Sequence, residues 1–496
     1  MPLFDAARAK GAGGMSHVHF IGIGGVGMSA LARILLARGE QVSGSDLHPS
    51  KTTIELQGLG ATVYIGHRAE QVACADEVVV SAAIPEDNPE LQEARARGIP
   101  VIHRAQLLAR LLNSGPSVAV SGAHGKTTVT SMVTVALQAA GLAVQPVIGG
   151  TIRGQTVNAL QTVHTVQKGY TEEFSRNGYS PNISEHHWVV AEADESDASF
   201  LYYRPRVAVV TNVEADHLEN YGGSFERLVD AYRRFLSQVQ PEGVGVVGVD
   251  SPALRELVEG WPRLLLRYGL GEEGRPEWTA DQIELGEKGS RARVRHWGEV
   301  VGELRLTVPG RHNVVNALAA LAVADWAGAR LEPVFAALET FAGAHRRFEP
   351  VGEVDGVRVV DDYAHHPSEI RATIAAARSL RPGRLWAVFQ PHRFARTHYL
   401  LHEFPTAFTD ADEIVITEVY APPPEKPWPN VSGERLAAEV ERVLQRPVHY
   451  VPTLTQVVEF VLARVRPGDL VLCMGAGDIT AAAREIGRRL AEGART

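Results

Sequence analysis

The chain has 496 residues, 45% of them hydrophobic, with 49 lysines and arginines against 58 aspartates and glutamates, for a formal charge of -9. At roughly 150 residues per domain this is about three soluble domains, and the acidic balance argues against a general nucleic-acid binder, which needs a basic face. Cys74 and Cys473 are the only cysteines, so neither a disulfide framework nor a cysteine zinc site is available. No apolar run approaches the roughly 18 residues of a membrane span. The first residues lack the apolar core of a secretory signal, so a soluble protein of the reducing cytoplasm is expected. Residues 1–14 read as a disordered tail, with Met15 an alternative start.

In chain order, a β-type run at His17–Ile21 feeds into Gly22-Ile23-Gly24-Gly25-Val26-Gly27, and a helix is predicted over 29–38 from its apolar spacing. Strands are expected at 41–43, reaching Ser45 and Asp46, and at 77–81. This cadence of strand, helix and strand is that of a parallel α/β sheet with right-handed crossovers. Glycines between strand and helix permit a tight turn and let the backbone approach a pyrophosphate at the helix N-terminus. Asp46 follows about 20 residues on, where a dinucleotide fold places a ribose-binding carboxylate. On these residues alone a nicotinamide dehydrogenase is one reading, and the identity of the pyrophosphate stays open.

A second α/β unit opens at Ser117–Ser121, which runs into Gly122-Ala123-His124-Gly125-Lys126-Thr127-Thr128 and a helix predicted over 129–140. Backbone amides in such a loop cradle phosphates, Lys126 reaches the terminal phosphates, and the Thr127 hydroxyl can ligate magnesium. The spacing is shorter than the full phosphate-loop motif, since Val120 stands at the place of the first glycine. Further strands are predicted at 188–191 and 207–211, and a helix at 225–236. Glu192 ends the first of these strands and opens the run Glu192-Ala193-Asp194-Glu195-Ser196-Asp197; Asp216-His217 follows the second. Carboxylates at the C-terminal edge of a parallel sheet face the ligand crevice, and hard oxygen ligands suit magnesium. A metal role is therefore assigned to Glu192 and His217. The stretch 155–187 is polar and aperiodic and reads as an exposed insertion, whereas 278–307 alternates like antiparallel hairpins. Asn313 precedes an Ala-rich helix predicted over 317–326. It suits either an N-cap or a purine contact.

A third unit begins near His345, with strands expected at 357–360, Leu385–Phe389, 413–417 and 470–473. Its polar clusters are His345-Arg346-Arg347, Asp361-Asp362-Tyr363-Ala364-His365-His366-Pro367 and His392-Arg393-Phe394-Ala395-Arg396. Arg393 and Arg396 are expected on one helical face, ready to grip a carboxylate by bidentate contacts. The Pro-rich run 421–429 is a stiff loop. The turn Gly475-Ala476-Gly477-Asp478 is assigned no chemistry.

Taken together, the ordered motifs FIGIGGVGMS, VSAAIPEDNP, SGAHGKTT, EADESDASF, TNVEADHLENY, GRHNVVNA, HRRFE, DDYAHHP, PHRFART and GAGD resemble the Mur ligase family over nearly the whole chain. The resemblance implies an α/β protein of three domains: an N-terminal Rossmann-like domain (1–113), a central P-loop-type ATPase domain (114–342) with the insertion near 155–187, and a C-terminal Rossmann-like domain (343–496). It implies an ATP-dependent ligase of peptidoglycan synthesis, with Mg2+, joining L-alanine to the carboxylate of UDP-N-acetylmuramate. It further implies that the first glycine turn (Gly22, Gly24, Gly25, Gly27, with Asp46) serves the UDP-sugar rather than a nicotinamide cofactor. By motif position Gly122 to Thr128 and Lys126 hold ATP phosphates, and Thr127, Glu192 and His217 the metal. Asn313 falls at an adenine contact, Arg346 at a γ-phosphate contact and Asp362 at the ribose. Tyr363, His365, Arg393 and Arg396 form the amino-acid end, with His365 the candidate base. Several family members carry a modified lysine after the Asp-His motif; Tyr232 and Arg233 stand in that helix here, and no such modification is assigned. The rival readings are a ligase adding another amino acid or a peptide, the dehydrogenase, and a non-catalytic UDP-sugar binder; a monomer or homodimer without nucleic-acid partners is expected.

Overall fold

The computed structural model describes residues 16–81, 83–148, 153, 187–422 and 425–493. The tail expected at 1–14 and nearly all of the insertion expected at 155–187 lie outside the described residues. Three sheets form, of five, nine and six strands. No helix among the described residues is long and apolar enough to cross a membrane.

The first sheet is wholly parallel, with His17–Ile21 at its centre between Gln41–Asp46 and Glu77–Val80, and Thr62–Ile65 and Val101–His103 at the edges. Chain order reverses on the two sides of His17–Ile21, so the glycine turn after it faces the crevice at a topological switch point. In the second sheet Ser117–Ser121 lies between Val207–Val210 and Trp188–Glu192. Every residue of Ser117–Ser121 and Val207–Val210 is buried, as expected where helices cover both faces of parallel strands. Beyond Val244–Gly248 and Leu265–Tyr268 this sheet ends in three antiparallel strands, Trp278–Gly286, Gly289–His296 and Glu299–Leu306. The third sheet runs Glu349–Val354, Val357–Asp362, Leu470–Met474, Leu385–Phe389, Glu413–Ile416 and His449–Tyr450, antiparallel only in its first pair.

Three helices start earlier than their apolar periodicity predicts, the first being Val26–Ala37. The helix after the second glycine loop is Lys126–Ala139, and the Ala-rich helix is Arg311–Trp326. In the latter two, polar residues form the first turn, so hydrophobic spacing alone misses the start. Asn313 is therefore inside its helix and not an N-cap; Gly310 occupies that position.

The cores reveal how the units are joined. One continuous apolar cluster spans the first two units, from Leu107, Leu108 and Leu111 of the helix Arg104–Asn113 to Val189, Phe200 and Phe235 of the second. The third unit has its own clusters, one on each face of its sheet. Apolar burial thus fuses the first two units, whereas the third meets the second at the site through the polar contacts described next.

Candidate active site

The first glycine turn is held by the strand beside it. The amides of Gly22 and Ile23 donate to the Ser45 carbonyl at 2.8 and 2.9 Å, and the Gly24 amide donates to Asp46 Oδ2 at 2.9 Å. Asp46 is thus engaged by the turn itself. The helix Val26–Ala37 that follows has no side-chain cap and no acidic residue in its first turn, which leaves its N-terminal amides for an anion. A cavity of about 350 Å³ opens here, lined by Gly25, Gly27 and Arg104 from the first unit and by Lys126, Glu192 and Asp194 from the second.

The second loop is clamped by Thr211 and Asn212. Asn212 Oδ1 accepts from the His124 amide at 2.9 Å, and the side chains of Asn212 and Thr211 donate to the His124 carbonyl. Gly122 has φ +136°, and a Cβ there would lie 2.0 Å from Thr211 Oγ1. Only glycine fits both the conformation and the space. Gly125 caps the helix in the left-handed region, which aims the amides of Lys126, Thr127 and Thr128 along the helix start. Lys126 Nζ donates to the Gly122 carbonyl at 2.6 Å and to both oxygens of buried Glu195 at 2.8 and 3.0 Å. Burial would depress this amine, but Glu195, Asp194 and Glu192 hold it above the usual lysine value, so it stays charged.

Glu192 ends its strand beside Val120 and lines the cavity with Asp194. The His217 ring lies 3.6 Å from Asp216 and 3.7 Å from Glu219. Among the described residues, the one group of three or more His, Cys, Asp or Glu with ligand atoms within 4.8 Å of one another is His124, Glu214 and His366. Asn313 donates to the Pro309 carbonyl at 2.7 Å and is buried.

In the third unit, Tyr363 lies between two guanidinium groups, Arg346 at 4.9 Å and Arg347 at 5.1 Å from its ring. Arg346 donates to the Gly475 carbonyl at 2.5 Å, so the last glycine turn, assigned no chemistry from sequence, positions this arginine. Asp362, expected at the ribose, is buried at the end of its strand. Its oxygens accept from the Phe348 and Ala364 amides, both at 2.7 Å, and burial pushes its carboxyl up to about 6. His365, the candidate base, lies among charged groups, and burial pushes its imidazole down to about 3, which leaves it neutral near pH 7. Its Nδ1 lies 2.9 Å from the Tyr363 carbonyl, which can only accept; the proton is on Nδ1 and Nε2 is left as a neutral acceptor.

Arg393 and Arg396 do not share a helical face. Arg393 precedes the helix Phe394–Tyr399 with φ +69° and an exposed side chain, whereas Arg396 is inside it and 8% exposed. Arg396 reaches into the second unit and donates to Asp216 Oδ2 at 3.1 Å and Oδ1 at 3.3 Å. Although burial opposes it, Arg396 holds the Asp216 carboxyl well below the usual range.

A second cross-unit junction centres on His124. Its Nε2 lies 3.1 Å from Glu214 and 3.0 Å from Ser368 Oγ, and its Nδ1 3.2 Å from Glu369. His366 packs on the same ring, with centroids 4.9 Å apart. Burial alone would depress His124, but Glu369 and Glu214 push it up to about 9. Folding therefore raises a pKa from 6.5 to about 9. The associated stability is complete below pH 6.5 and is lost as pH rises through 9, with a ceiling on the order of 3 kcal/mol. Thermal unfolding followed from pH 6 to 10 should show this fall in the native chain, and His124→Gln should remove it.

Sequence reading missed Glu195, Glu214, Ser368, Glu369 and Arg104. Glu195 and Glu214 stand inside the motifs named above, but which carboxylate of a run turns inward is not written in the run. Glu369 follows a proline at the start of Pro367–Ser379, where a helix-capping role is the obvious reading.

Comparison with known proteins gives three family matches in chain order. Residues 17–115 match the Mur ligase family, catalytic domain; 120–324 match the Mur ligase middle domain; and 346–477 match the Mur ligase, glutamate ligase domain. A UDP-N-acetylmuramate–L-alanine ligase of Symbiobacterium thermophilum is 48% identical over 477 residues, covering 95% of this chain and 94% of that one. One from Pelotomaculum thermopropionicum is 45% identical, covering 96% and 98%. A crystal structure of UDP-N-acetylmuramate-alanine ligase from Thermotoga maritima superposes with a TM-score of 0.74 at 30% identity, over 96% of this chain and 99% of that one.

Proposed function

The chain belongs to the Mur ligase family, and on that premise we propose that it uses ATP to join L-alanine to the carboxylate of UDP-N-acetylmuramate, in the cytoplasmic synthesis of peptidoglycan precursors. The observation that carries this reading is the single cavity bordered by both the first glycine turn and the Lys126 loop. A substrate whose pyrophosphate rests on the turn extends its far end toward the phosphates of ATP. We divide the labour among domains 1–113 for the UDP-sugar, 114–342 for ATP and 343–496 for the amino acid.

The muramoyl carboxylate attacks the γ-phosphorus and ADP leaves, giving an acyl phosphate. The alanine amine then adds to its carbonyl carbon, and the tetrahedral intermediate collapses to the amide and inorganic phosphate. Phosphoryl transfer needs alignment and charge neutralisation more than a protein nucleophile. The loop Gly122 to Thr128 meets the phosphates through the Lys126 side chain and the amides of Lys126, Thr127 and Thr128 at the helix start, and Arg346 reaches the γ-phosphate from the third unit. Asn313 borders the adenine. Thr127 and Glu192 offer the hydroxyl and carboxylate oxygens that Mg2+ prefers, and His217 a nitrogen that it takes less readily. When bound, that ion neutralises charge on the transferring phosphate. Arg393 and Arg396 hold the amino-acid carboxylate, and His365 and Tyr363 orient the amine, with His365 as a neutral acceptor.

Phosphate release from ATP and magnesium with UDP-N-acetylmuramate tests the proposal. Release should require L-alanine. Release only with another amino acid or a peptide would leave the family intact and overturn the substrate; silence with all of them, from folded protein, would overturn the activity.

A further inference from the structure

His124 stands two residues before Lys126, yet its side chain does not face the cavity that Lys126 lines. Its backbone is fastened on both sides by Thr211 and Asn212. Its ring leaves the loop in the opposite sense and meets Glu214 of its own unit and Ser368 and Glu369 of the third. With Glu214 3.1 Å from one ring nitrogen and Glu369 3.2 Å from the other, the imidazole is turned to this junction and away from the cavity.

Glu369 is the reason the junction matters to the amino-acid end. One of its oxygens accepts from the amides of His365 and His366 at 3.0 and 3.2 Å, and the other faces His124 at 3.2 Å and Arg347 at 3.6 Å. The same carboxylate thus fixes the turn that carries Tyr363 and His365 and grips the loop that carries Lys126. No apolar cluster among the described residues spans these two units, so the junction is made of groups that water can solvate when the units part. Polar interfaces of this kind open and close more readily than apolar ones.

We infer that His124 is a positioning residue that couples the ATP loop to the docked C-terminal unit through Glu369, so that the acyl phosphate forms only where the amino-acid site is closed over it. This inference rests on the ligase reading above. Undocking strips His124 of two of its three polar partners and leaves Glu369 with Arg347 as the cation it faces. Docking restores both and excludes water from the reacting carbonyl.

The test compares His124→Gln, Glu369→Gln and the double variant with the native chain in two measurements. The first is small-angle scattering without substrates, in which all three variants should be more extended than the native chain and the double variant no more so than the singles. The second is the ratio of phosphate released to amide formed. It should be one in the native chain and rise by about threefold or more in each variant, as water intercepts the acyl phosphate. Scattering profiles identical to the native one, or a ratio that stays at one while the KM for ATP alone rises, would overturn the coupling role; the latter would make His124 a phosphate ligand. If the native chain releases no phosphate, the ligase reading fails by itself. The scattering comparison still tests the junction, since identical profiles would overturn it whatever the chain catalyses.

Discussion

Lys126→Ala should lower the rate of phosphate release by about three orders of magnitude or more, the largest single effect expected in this chain. The Lys126 ammonium is held at the mouth of the loop by the Gly122 carbonyl and Glu195. Losing it removes the fixed positive charge that meets the terminal phosphates. It also removes a cation on which three carboxylates, Glu195, Asp194 and Glu192, act together. Repulsion between that cluster and the ATP phosphates adds to the loss. Breaking such a pair costs about 3 kcal/mol when it is fully buried. With 20% of the Lys126 side chain exposed, a smaller loss of stability is expected. The two effects separate in Lys126→Ala with Glu195→Gln, which should recover melting temperature but not turnover. Turnover within tenfold of native in the single variant would remove Lys126 from the mechanism.

Arg396→Ala should reduce kcat/KM for alanine by about 100-fold or more while leaving the KM for the UDP-sugar nearly unchanged. Arg396 is buried and paired with Asp216 across the junction of the second and third units. Removing it strands the half-buried Asp216 carboxylate, which Arg396 keeps ionised, beside the His217 assigned to the metal. Arg396→Lys should not rescue it, because one ammonium cannot meet the Asp216 carboxylate with one nitrogen and the His392 carbonyl with another, as the guanidinium does. Arg393→Ala, at an exposed position, should cost less and leave thermal stability unchanged. Steady-state kinetics with alanine as the varied substrate check all three. Equal effects at Arg393 and Arg396 would refute the distinction drawn from their burial.

Much of this architecture is legible in the amino-acid sequence. The strands His17–Ile21, Ser117–Ser121 and Leu385–Phe389 read directly from short apolar runs that end in glycine or polar clusters. Such runs are dictated by burial on both faces of a parallel sheet. That the chemistry-bearing residues follow the strands is equally plain, because in a parallel α/β sheet the C-terminal edges share one crevice. Helix starts are less legible. Lys126 and Arg311 begin helices with polar first turns, where periodicity is silent and capping geometry governs.

What the sequence by itself established is therefore local: which segments are strands, where glycine must sit at Gly22 and Gly122, and which motifs lie at sheet edges. Which side chains meet was settled by tertiary structure. Lys126 pairs with Glu195 rather than another acid of the same run, His124 turns to Glu369 instead of the cavity, and Arg396 finds Asp216, 180 residues away, while Arg393 stays outside. Backbone conformation and burial period are written in neighbouring residues. Ion pairs instead depend on how closely separately folded elements approach and how much water their contact excludes, and no short stretch of sequence contains that distance.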